Sequence, residues 1–269
     1  MAEDRRGVLY PARLPEFHRL PPPPSLDHAV RWFWIPEWAL APGEELRQEI
    51  LPFPACNVVV EPDGVTVVGP PTRRSERVLQ NSGWAVGALL RPAAAPALVP
   101  SLAALRDAAA PFEEPALLGE VAGAMADPHL SSAARRDRAA TALAEWIEAR
   151  APEPGADGLL ANELADALAD AAITRVDQLA PRLHASTRTL QRIAERFFGL
   201  SLRSMIRRRR VQEAAERLRE DATVTVAAIA GEVGYADQAH FATDFKAVVG
   251  VTPSEYRAGA TAEAETDRA

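Results

Sequence analysis

Arg188, Gln191 and Arg192 stand three and four residues apart in the C-terminal half of the chain. In a helix, which turns about 100° per residue, this spacing places the three side chains on one face. An arginine can donate two hydrogen bonds to O6 and N7 of guanine, and a glutamine can bond adenine in the same way, each pair contributing about 1 to 3 kcal/mol of discrimination. The chemistry that this stretch offers is therefore recognition of base edges in a DNA groove.

The sequence pattern around these residues occurs twice in the C-terminal half of the chain. Apolar residues recur at positions 176, 179, 180 and 183, and again at 226, 229, 230 and 233, an offset of 50 residues. After breaks at 184–185 and 234–236 the offset becomes 51, as in Leu190 and Phe241 or Gly199 and Gly250. This spacing is typical of an apolar stripe on a short helix, and a surface turn tolerates one inserted residue. The pattern predicts two helix-turn-helix units, a motif whose second helix lies in the major groove.

Residues that cap helices stand at both ends of each predicted second helix, which we call the reader helix. Ser186 and Asp237 supply a side-chain oxygen at the start, and Gly199 and Gly250 suit the left-handed conformation that ends a helix. The run Thr-Pro-Ser-Glu at 252–255 is a capping box that predicts a terminal helix. A bundle of four short amphipathic helices with no role in DNA binding is the alternative, and the duplication argues against it.

Helical geometry assigns the outward faces of the two reader helices. Phe241, Phe245 and Val248 are expected to face the core, which turns positions 239, 243 and 246 outward. The residues predicted to read bases are Arg188, Gln191, Arg192, Gln238, Ala239 and Thr243. The residues predicted to contact phosphates are Ser186, Thr187, Arg196, Arg203, Arg207, Asp237, His240 and Lys246. For His240, a partly buried structural role is the alternative.

A long helix is predicted between the two units, at 201–220. At 1.5 Å per residue its length is about 30 Å, close to the ~34 Å repeat of B-DNA, so it can set both reader helices in successive major grooves. The consecutive arginines at 207–210 spread round this helix and cannot all face DNA. We expect Arg210 to form an internal ion pair rather than a phosphate contact.

The whole chain has a net charge of −7, but this charge is unevenly distributed. Residues 1–172 carry 15 basic and 24 acidic groups, whereas 174–220 carry 12 arginines and five acidic groups, a net of +7. Residues 221–257 carry two basic and five acidic groups, a net of −3. Because charges are screened within about 10 Å, the first unit and the helix after it should dominate attraction to phosphates.

Several short segments of the C-terminal half form a distinctive set. They are Arg-Thr-Leu-Gln-Arg at 188–192, Arg-Val-Gln-Glu-Ala at 210–214, Gly-Tyr-Ala-Asp-Gln-Ala-His-Phe at 234–241, Phe-Lys at 245–246 and Gly-Val-Thr-Pro-Ser-Glu-Tyr-Arg at 250–257. Together they resemble the AraC/XylS family of bacterial transcription regulators. Ala194, Leu202 and Thr243 depart from the family pattern. The resemblance implies a cytoplasmic, sequence-specific regulator that binds double-stranded DNA. It admits RNA polymerase and an unidentified small molecule as further partners, and either a monomer or a homodimer.

The N-terminal half predicts a strand-rich part followed by helices. Strands are expected at 30–38, 57–61, 65–69, 77–80 and 84–90, with a hairpin turn at Pro62-Asp63-Gly64. Helices are expected from Ser101 to 109, at 114–125 and at 131–150. The order of motifs at 69–74, 83–87 and 91–92 resembles the N-terminal regulatory domain of an actinobacterial-type branch of the family.

The predicted fold class is α+β, with a β-rich N-terminal domain carrying appended helices and an all-α C-terminal domain of two helix-turn-helix units joined by a long helix. We expect the N-terminal domain at 1–151, a linker at 152–158, the DNA-binding domain at 159–260 and a disordered tail at 261–269. The N-terminal domain is expected to sense a small molecule or to mediate dimerisation. Trp32, Trp34, Trp38 and Trp84 are expected either to line a ligand pocket or to belong to the plain core.

Other classes of protein have little support in the sequence. No stretch is typical of a signal peptide or of the roughly 18 apolar residues of a membrane span. The single cysteine, Cys56, excludes an internal disulfide, and the five histidines show no paired ligand spacing, so neither a metal nor another cofactor is expected. No nucleophile elbow or phosphate loop indicates an enzyme. An enzymatic N-terminal domain and a module that binds only proteins are the remaining alternatives.

Overall fold

Strands make up most of the N-terminal region. The computed structural model describes residues 16–50, 55–99, 101–221 and 223–266. The strands are β1 (Glu16–Leu20), β2 (Val30–Ala39), β3 (Glu45–Ile50), β4 (Asn57–Glu61), β5 (Gly64–Val68), β6 (Ser75–Gln80), β7 (Ser82–Trp84), β8 (Val86–Leu90) and β9 (Ala109–Phe112). Within these ranges a seven-stranded antiparallel sheet has the order β1-β2-β8-β4-β5-β9, with β7 also paired to β2, and β3 and β6 form a separate ribbon. The predicted β-rich N-terminal region is confirmed.

The centre of the sheet is formed by β8 and its two neighbours. Strand β8 is buried along its length because it lies between β2 and β4. A Cβ at Gly87 of β8 would lie 2.1 Å from the indole of Trp34, so only glycine lets this ring pack on the strand. The indole Nε1 of Trp34 donates a hydrogen bond to Oδ1 of Asn57 at 3.0 Å. The predicted hairpin is present next to it, with Glu61 of β4 opposite Gly64 of β5.

The tryptophans of β2 lie on the opposite face of the strand from its core residues. Phe33 and Ile35 are buried in the main N-terminal cluster, whereas Trp32 and Trp34 are half-buried. The guanidinium of Arg19 stacks on Trp32 at 4.7 Å. Plain core, one of the two roles considered for these tryptophans, is therefore wrong for Trp32 and Trp34, because alternation along a strand sends neighbouring side chains to opposite faces.

Helices cover the other face of the sheet. They are α1 (Ala95–Leu98), α2 (Pro115–Ala126) and α3 (Ser132–Glu148), preceded by a 3-10 turn at Pro24–Leu26. Helix α2 packs on β4 and β5, and α3 packs on β8 and on α2. Ser131 caps α3 by accepting a hydrogen bond from the amide of Ala134 at 3.2 Å. The resulting core includes Val58, Val60, Val67, Val86, Leu117, Val121, Leu143 and Ile147.

The C-terminal region is helical, as predicted. Its helices are α4 (Ala156–Ala169), α5 (Leu179–Arg182), α6 (Thr187–Phe198), α7 (Leu202–Glu220), α8 (Val226–Glu232), α9 (Gln238–Val249) and α10 (Pro253–Thr266), with a 3-10 turn at Val176–Gln178 before α5. Helices α5 and α6 form the first helix-turn-helix unit, and α8 and α9 form the second. None of the described helices is long and apolar enough to cross a membrane.

The long helix α7 belongs to two hydrophobic cores. Leu202, Met205 and Ile206 in its first half pack with α4 and α6. Val211, Ala214, Ala215 and Leu218 in its second half pack with α8, α9 and α10. Because one continuous helix carries residues of both cores, the two units have a fixed spacing along its axis.

Polar contacts join the N-terminal region to the ends of both reader helices. The Arg106 guanidinium donates a hydrogen bond to the carbonyl oxygen of Gly199, after α6, at 2.7 Å. The backbone amide of Arg74 donates to the carbonyl oxygen of Val248, near the end of α9, at 2.8 Å. Asn162 of α4 is buried, accepts a hydrogen bond from the amide of Ala93 and donates one to the carbonyl oxygen of His28.

Some predicted elements differ from the observed ones. The helix expected from Ser101 to 109 is wrong, because 102–107 form turns and Ala109–Phe112 pairs with β5 as β9. Pairing with an existing strand overrides helical spacing here. Helix α4 starts at Ala156, within the linker predicted at 152–158, and α10 reaches Thr266, within the tail predicted at 261–269. Strands β1 and β3 were not predicted.

Candidate DNA-binding surface

The first reader helix, α6, is held at both ends by the residues that the sequence indicated. The Ser186 hydroxyl accepts a hydrogen bond from the amide of Thr189 at 3.1 Å, and Gly199 is left-handed with φ 63°. Thr187 opens the helix and is exposed. Leu190 and Ile193 are buried on the inner face. The side chains exposed on the outer face are Arg188, Gln191, Arg192, Glu195 and Arg196.

The second reader helix, α9, repeats this arrangement. The Asp237 carboxylate accepts a hydrogen bond from the amide of His240 at 2.7 Å, and Gly250 is left-handed with φ 88°. Phe241, Phe245 and Val248 are buried, as expected. The side chains exposed on its outer face are Gln238, Ala239, Thr243 and Lys246. The Thr243 hydroxyl donates to the carbonyl oxygen of Ala239 at 2.9 Å, so its proton is already used inside the helix.

The turns of the two units also correspond. His184 and Gly234 are 50 positions apart and both adopt the left-handed conformation, with φ 48° and 84°. One residue later, the amide of Ala185 bonds the carbonyl oxygen of Ala180 at 3.2 Å, and the amide of Tyr235 bonds that of Ala230 at 2.8 Å. The duplication in the sequence is thus a duplication of backbone conformation.

A carboxylate holds two arginines of the first reader helix. Arg192 donates from Nη1 and Nη2 to the two oxygens of Asp157, at 2.7 and 3.0 Å, and Arg196 donates from Nη1 to the same carboxylate at 3.2 Å. The hydrogen bond from Arg192 is the largest cause that lowers the pKa of Asp157, and the reciprocal bond raises the pKa of Arg192. Sequence reasoning missed Asp157, because it stands in the segment predicted to be a linker, 35 residues before Arg192.

A buried carboxylate organises the second unit. Asp244 accepts a hydrogen bond from the Tyr235 hydroxyl at 3.0 Å and one from Nη1 of Arg207 at 3.4 Å. Nε2 of His240 lies 3.7 Å from the same carboxylate. Burial, followed by the charge of Asp244, raises the pKa of Tyr235. Arg207 and His240, both predicted to contact phosphates, are exposed and also lie close to this carboxylate of their own chain.

The four consecutive arginines of α7 spread round the helix, as predicted. Arg208 is 1% exposed, and burial lowers its pKa to about 10. Arg209 pairs with Glu213 at 2.6 Å. Arg210 donates from Nε to the carbonyl oxygen of Val233 at 2.6 Å and stacks on the Tyr235 ring at 3.7 Å. The internal ion pair expected for Arg210 is wrong, because its internal partners are a carbonyl and an aromatic ring.

Nearer the first unit, Arg203 is exposed one turn before Arg207.

Away from the helix-turn-helix units, Glu16, His18 and Glu37 bring one ligand atom each within 4.8 Å of one another. The sequence did not reveal this group, because β1 and β2 bring Glu16 opposite Glu37. Glu37 already pairs with Arg136 at 2.8 Å, and this cation competes with a metal ion. Cys56 is buried, which raises the pKa of its thiol to about 12.

A cleft of about 270 Å³ lies between the N-terminal sheet and the first helix-turn-helix unit. Its apolar lining comes from Leu90, Leu168, Phe198 and Met205, and charged side chains such as Arg91 and Asp166 stand at its edge. The last two form an ion pair at 2.7 Å across the two regions.

Two regions of the chain match known domain families. Residues 179–259 match a model described as a helix-turn-helix domain, and residues 18–110 match one described as a domain of unknown function, DUF6597. Over 68 residues the chain is 41% identical to the HTH-type transcriptional activator AarP of Providencia stuartii, which covers 25% of this chain and 50% of that protein. The chain thus spans about half the length of this curated relative.

Solved structures of similar proteins are also found. The C-terminal domain of AraT, a response regulator from Geobacillus stearothermophilus, is 26% identical, covers 38% of this chain and 84% of its own, and has a TM-score of 0.33. The DNA-binding domain of AdpA, solved with a target DNA, is 24% identical over 39% of this chain and 93% of its own, with a TM-score of 0.34. ToxT from Vibrio cholerae O395 is 14% identical over 90% of this chain and 95% of its own, with a TM-score of 0.40.

Proposed function

We propose that this chain, whose C-terminal part is a double helix-turn-helix domain of the AraC type, regulates transcription by binding specific sequences in double-stranded DNA. One observation carries the proposal. Two reader helices with equivalent caps and the same turn conformation pack against one connecting helix. Each of them exposes side chains that can hydrogen-bond DNA. No enzymatic activity and no cofactor form part of the proposal.

The first reader helix supplies most of the base recognition in this proposal. Arg188, Gln191 and Arg192 read bases there, whereas the second reader helix offers Gln238, Ala239 and Thr243. The Thr243 hydroxyl already donates inside its helix, which leaves mainly its methyl group and a weak acceptor for a base. The first unit therefore discriminates more strongly than the second.

Phosphate contacts follow the same asymmetry. In this proposal the starts of the reader helices, at Ser186 and Asp237, lie at the DNA backbone, because the free amide groups of a helix start favour a phosphate. The side chains that add to this are Thr187, Arg196, Arg203, Arg207, His240 and Lys246. The net charge of +7 over 174–220, against −3 over 221–257, puts most of the attraction on the first unit.

We further propose that the N-terminal domain senses a small molecule, still unidentified, or mediates dimerisation. Its contacts with Gly199 and Val248 connect it to the ends of both reader helices. Cytoplasmic location and contact with RNA polymerase belong to the same proposal.

Selection of bound fragments from a random DNA pool with the full chain tests this function. We expect a well-defined half-site and a degenerate one about one helical turn apart. On the selected DNA, Arg188→Ala should weaken binding by about 1 to 3 kcal/mol and weaken binding to unrelated DNA much less. Arg138→Ala removes one exposed charge from the N-terminal region and serves as the matched control.

The outcomes separate base reading from charge. An equal loss on selected and unrelated DNA would make Arg188 a phosphate contact. Failure to enrich any sequence, together with no decrease of affinity as salt rises, would refute DNA binding as the function.

A further inference from the structure

The Asp157 carboxylate, on helix α4, holds two side chains on the outer face of α6. It engages Arg192 through both terminal nitrogens and Arg196 through one, at 2.7 to 3.2 Å. The side chains of Arg192 and Arg196 keep 53% and 60% of their surface exposed, so the pairs lie at the surface where DNA would approach.

Asp157 does not use its carboxylate to cap its own helix. It stands in the first turn of α4, where a negative charge is favoured, but its side-chain hydrogen bonds go to α6. Asp157 follows directly on the segment that joins the two domains. A Cβ at the next residue, Gly158, would lie 3.0 Å from that of Pro154 and 3.4 Å from that of Ala93, so the chain is closely packed here. The position of the carboxylate over α6 is therefore set by the packing at the start of α4.

This arrangement affects phosphates and bases differently. A phosphate that approaches Arg192 or Arg196 meets the negative charge of Asp157 between them, which weakens the attraction. Guanine is neutral and offers two acceptors, O6 and N7, that can replace both hydrogen bonds that Arg192 makes with Asp157. The charge of Asp157 therefore repels a phosphate at this place, whereas it does not repel a neutral base in the same way.

We propose that Asp157 is a specificity-determining residue, which weakens the attraction of Arg192 and Arg196 to phosphates and releases Arg192 to a base that offers two acceptors. This inference rests on the proposed DNA binding. Asp157 acts through the two arginines and has no contact of its own with a base.

The test compares Asp157→Asn with the wild-type full chain on selected and on unrelated DNA, over a range of salt concentrations. Each arginine released to a phosphate should steepen the salt slope by about 0.9 and raise unrelated-DNA affinity about 5-fold at ~0.15 M salt. Affinity for the selected DNA should rise less, so the ratio of selected to unrelated binding falls. Asp157→Glu, which keeps the charge, should restore both the slope and the ratio.

Glu232→Gln is the matched control. It also neutralises one acid and releases one exposed arginine of the same domain, because Glu232 pairs with Arg217 at 2.7 Å, away from α6. If this variant changed the slope and the ratio as much as Asp157→Asn does, net charge would explain the effect and the inference would be overturned. An unchanged slope in Asp157→Asn would overturn it as well. If wild type and variants alike failed to bind any DNA, the proposed function itself would be refuted.

Discussion

Arg210, on the connecting helix α7, contacts the turn of the second helix-turn-helix unit through a hydrogen bond and a cation–π contact. Its Nε donates to the carbonyl oxygen of Val233 at 2.6 Å, and its guanidinium lies 3.7 Å from the centre of the Tyr235 ring. Both partners belong to the turn between α8 and α9. Loss of this side chain should therefore loosen the second reader helix relative to the first.

The size of the effect can be estimated for Arg210→Met, which keeps an apolar side chain of similar length. A hydrogen bond from a charged donor contributes about 1.5 to 3 kcal/mol, and a cation–π contact contributes roughly 0.5 to 2 kcal/mol. Apolar contacts of the methionine should recover about 1 kcal/mol. We therefore expect the free energy of unfolding to fall by about 1 to 4 kcal/mol, a sizeable fraction of the 5 to 15 kcal/mol typical of a protein.

Urea unfolding offers a clean measurement, because the five tryptophans all lie at or before Trp146. Tryptophan fluorescence thus reports the N-terminal region, and circular dichroism at 222 nm also reports the helices α4 to α10. The midpoint seen by circular dichroism should shift to lower urea while the fluorescence midpoint moves less. Arg210→Lys should be intermediate, since an ammonium can reach the carbonyl or the ring but has no planar group to stack. A loss below about 0.5 kcal/mol in Arg210→Met would refute the argument.

Two further predictions concern the domain organisation and the single thiol. A fragment that starts at Pro152 should give a helical circular dichroism spectrum and unfold cooperatively, because the two hydrophobic clusters of the C-terminal helices use only residues from Leu160 onward. A non-cooperative transition would show that these clusters need the N-terminal region. Cys56 in the full chain should react with a thiol reagent at pH 8 at least about 100-fold more slowly than it does in urea, because burial raises its pKa to about 12 and the reactive thiolate is scarce below that pH. Equal rates in the folded and unfolded protein would contradict this assignment.

Local features of the C-terminal region could be predicted from the sequence alone. The reader helices start at Ser186 and Asp237 and end at Gly199 and Gly250, as expected. The hydrogen bonds of a cap lie within four residues, so a few neighbouring residue types determine them. The apolar stripe of α9 was equally readable, because 3.6-residue periodicity alone places Phe241, Phe245 and Val248 on one side.

Contacts between distant segments were decided only by the tertiary structure. No local pattern brings Asp157 to Arg192, turns Arg210 towards the carbonyl oxygen of Val233 or pairs Ala109–Phe112 with β5. A side chain with a charge is compatible with solvent, an ion pair or a carbonyl, and its choice depends on what packing brings within about 3 Å. The doubled pattern therefore determined where the two reader helices lie in the chain. The packing of α4 against α6 decided which arginines of α6 are held by a carboxylate, because Asp157 and Arg192 are 35 positions apart in the sequence.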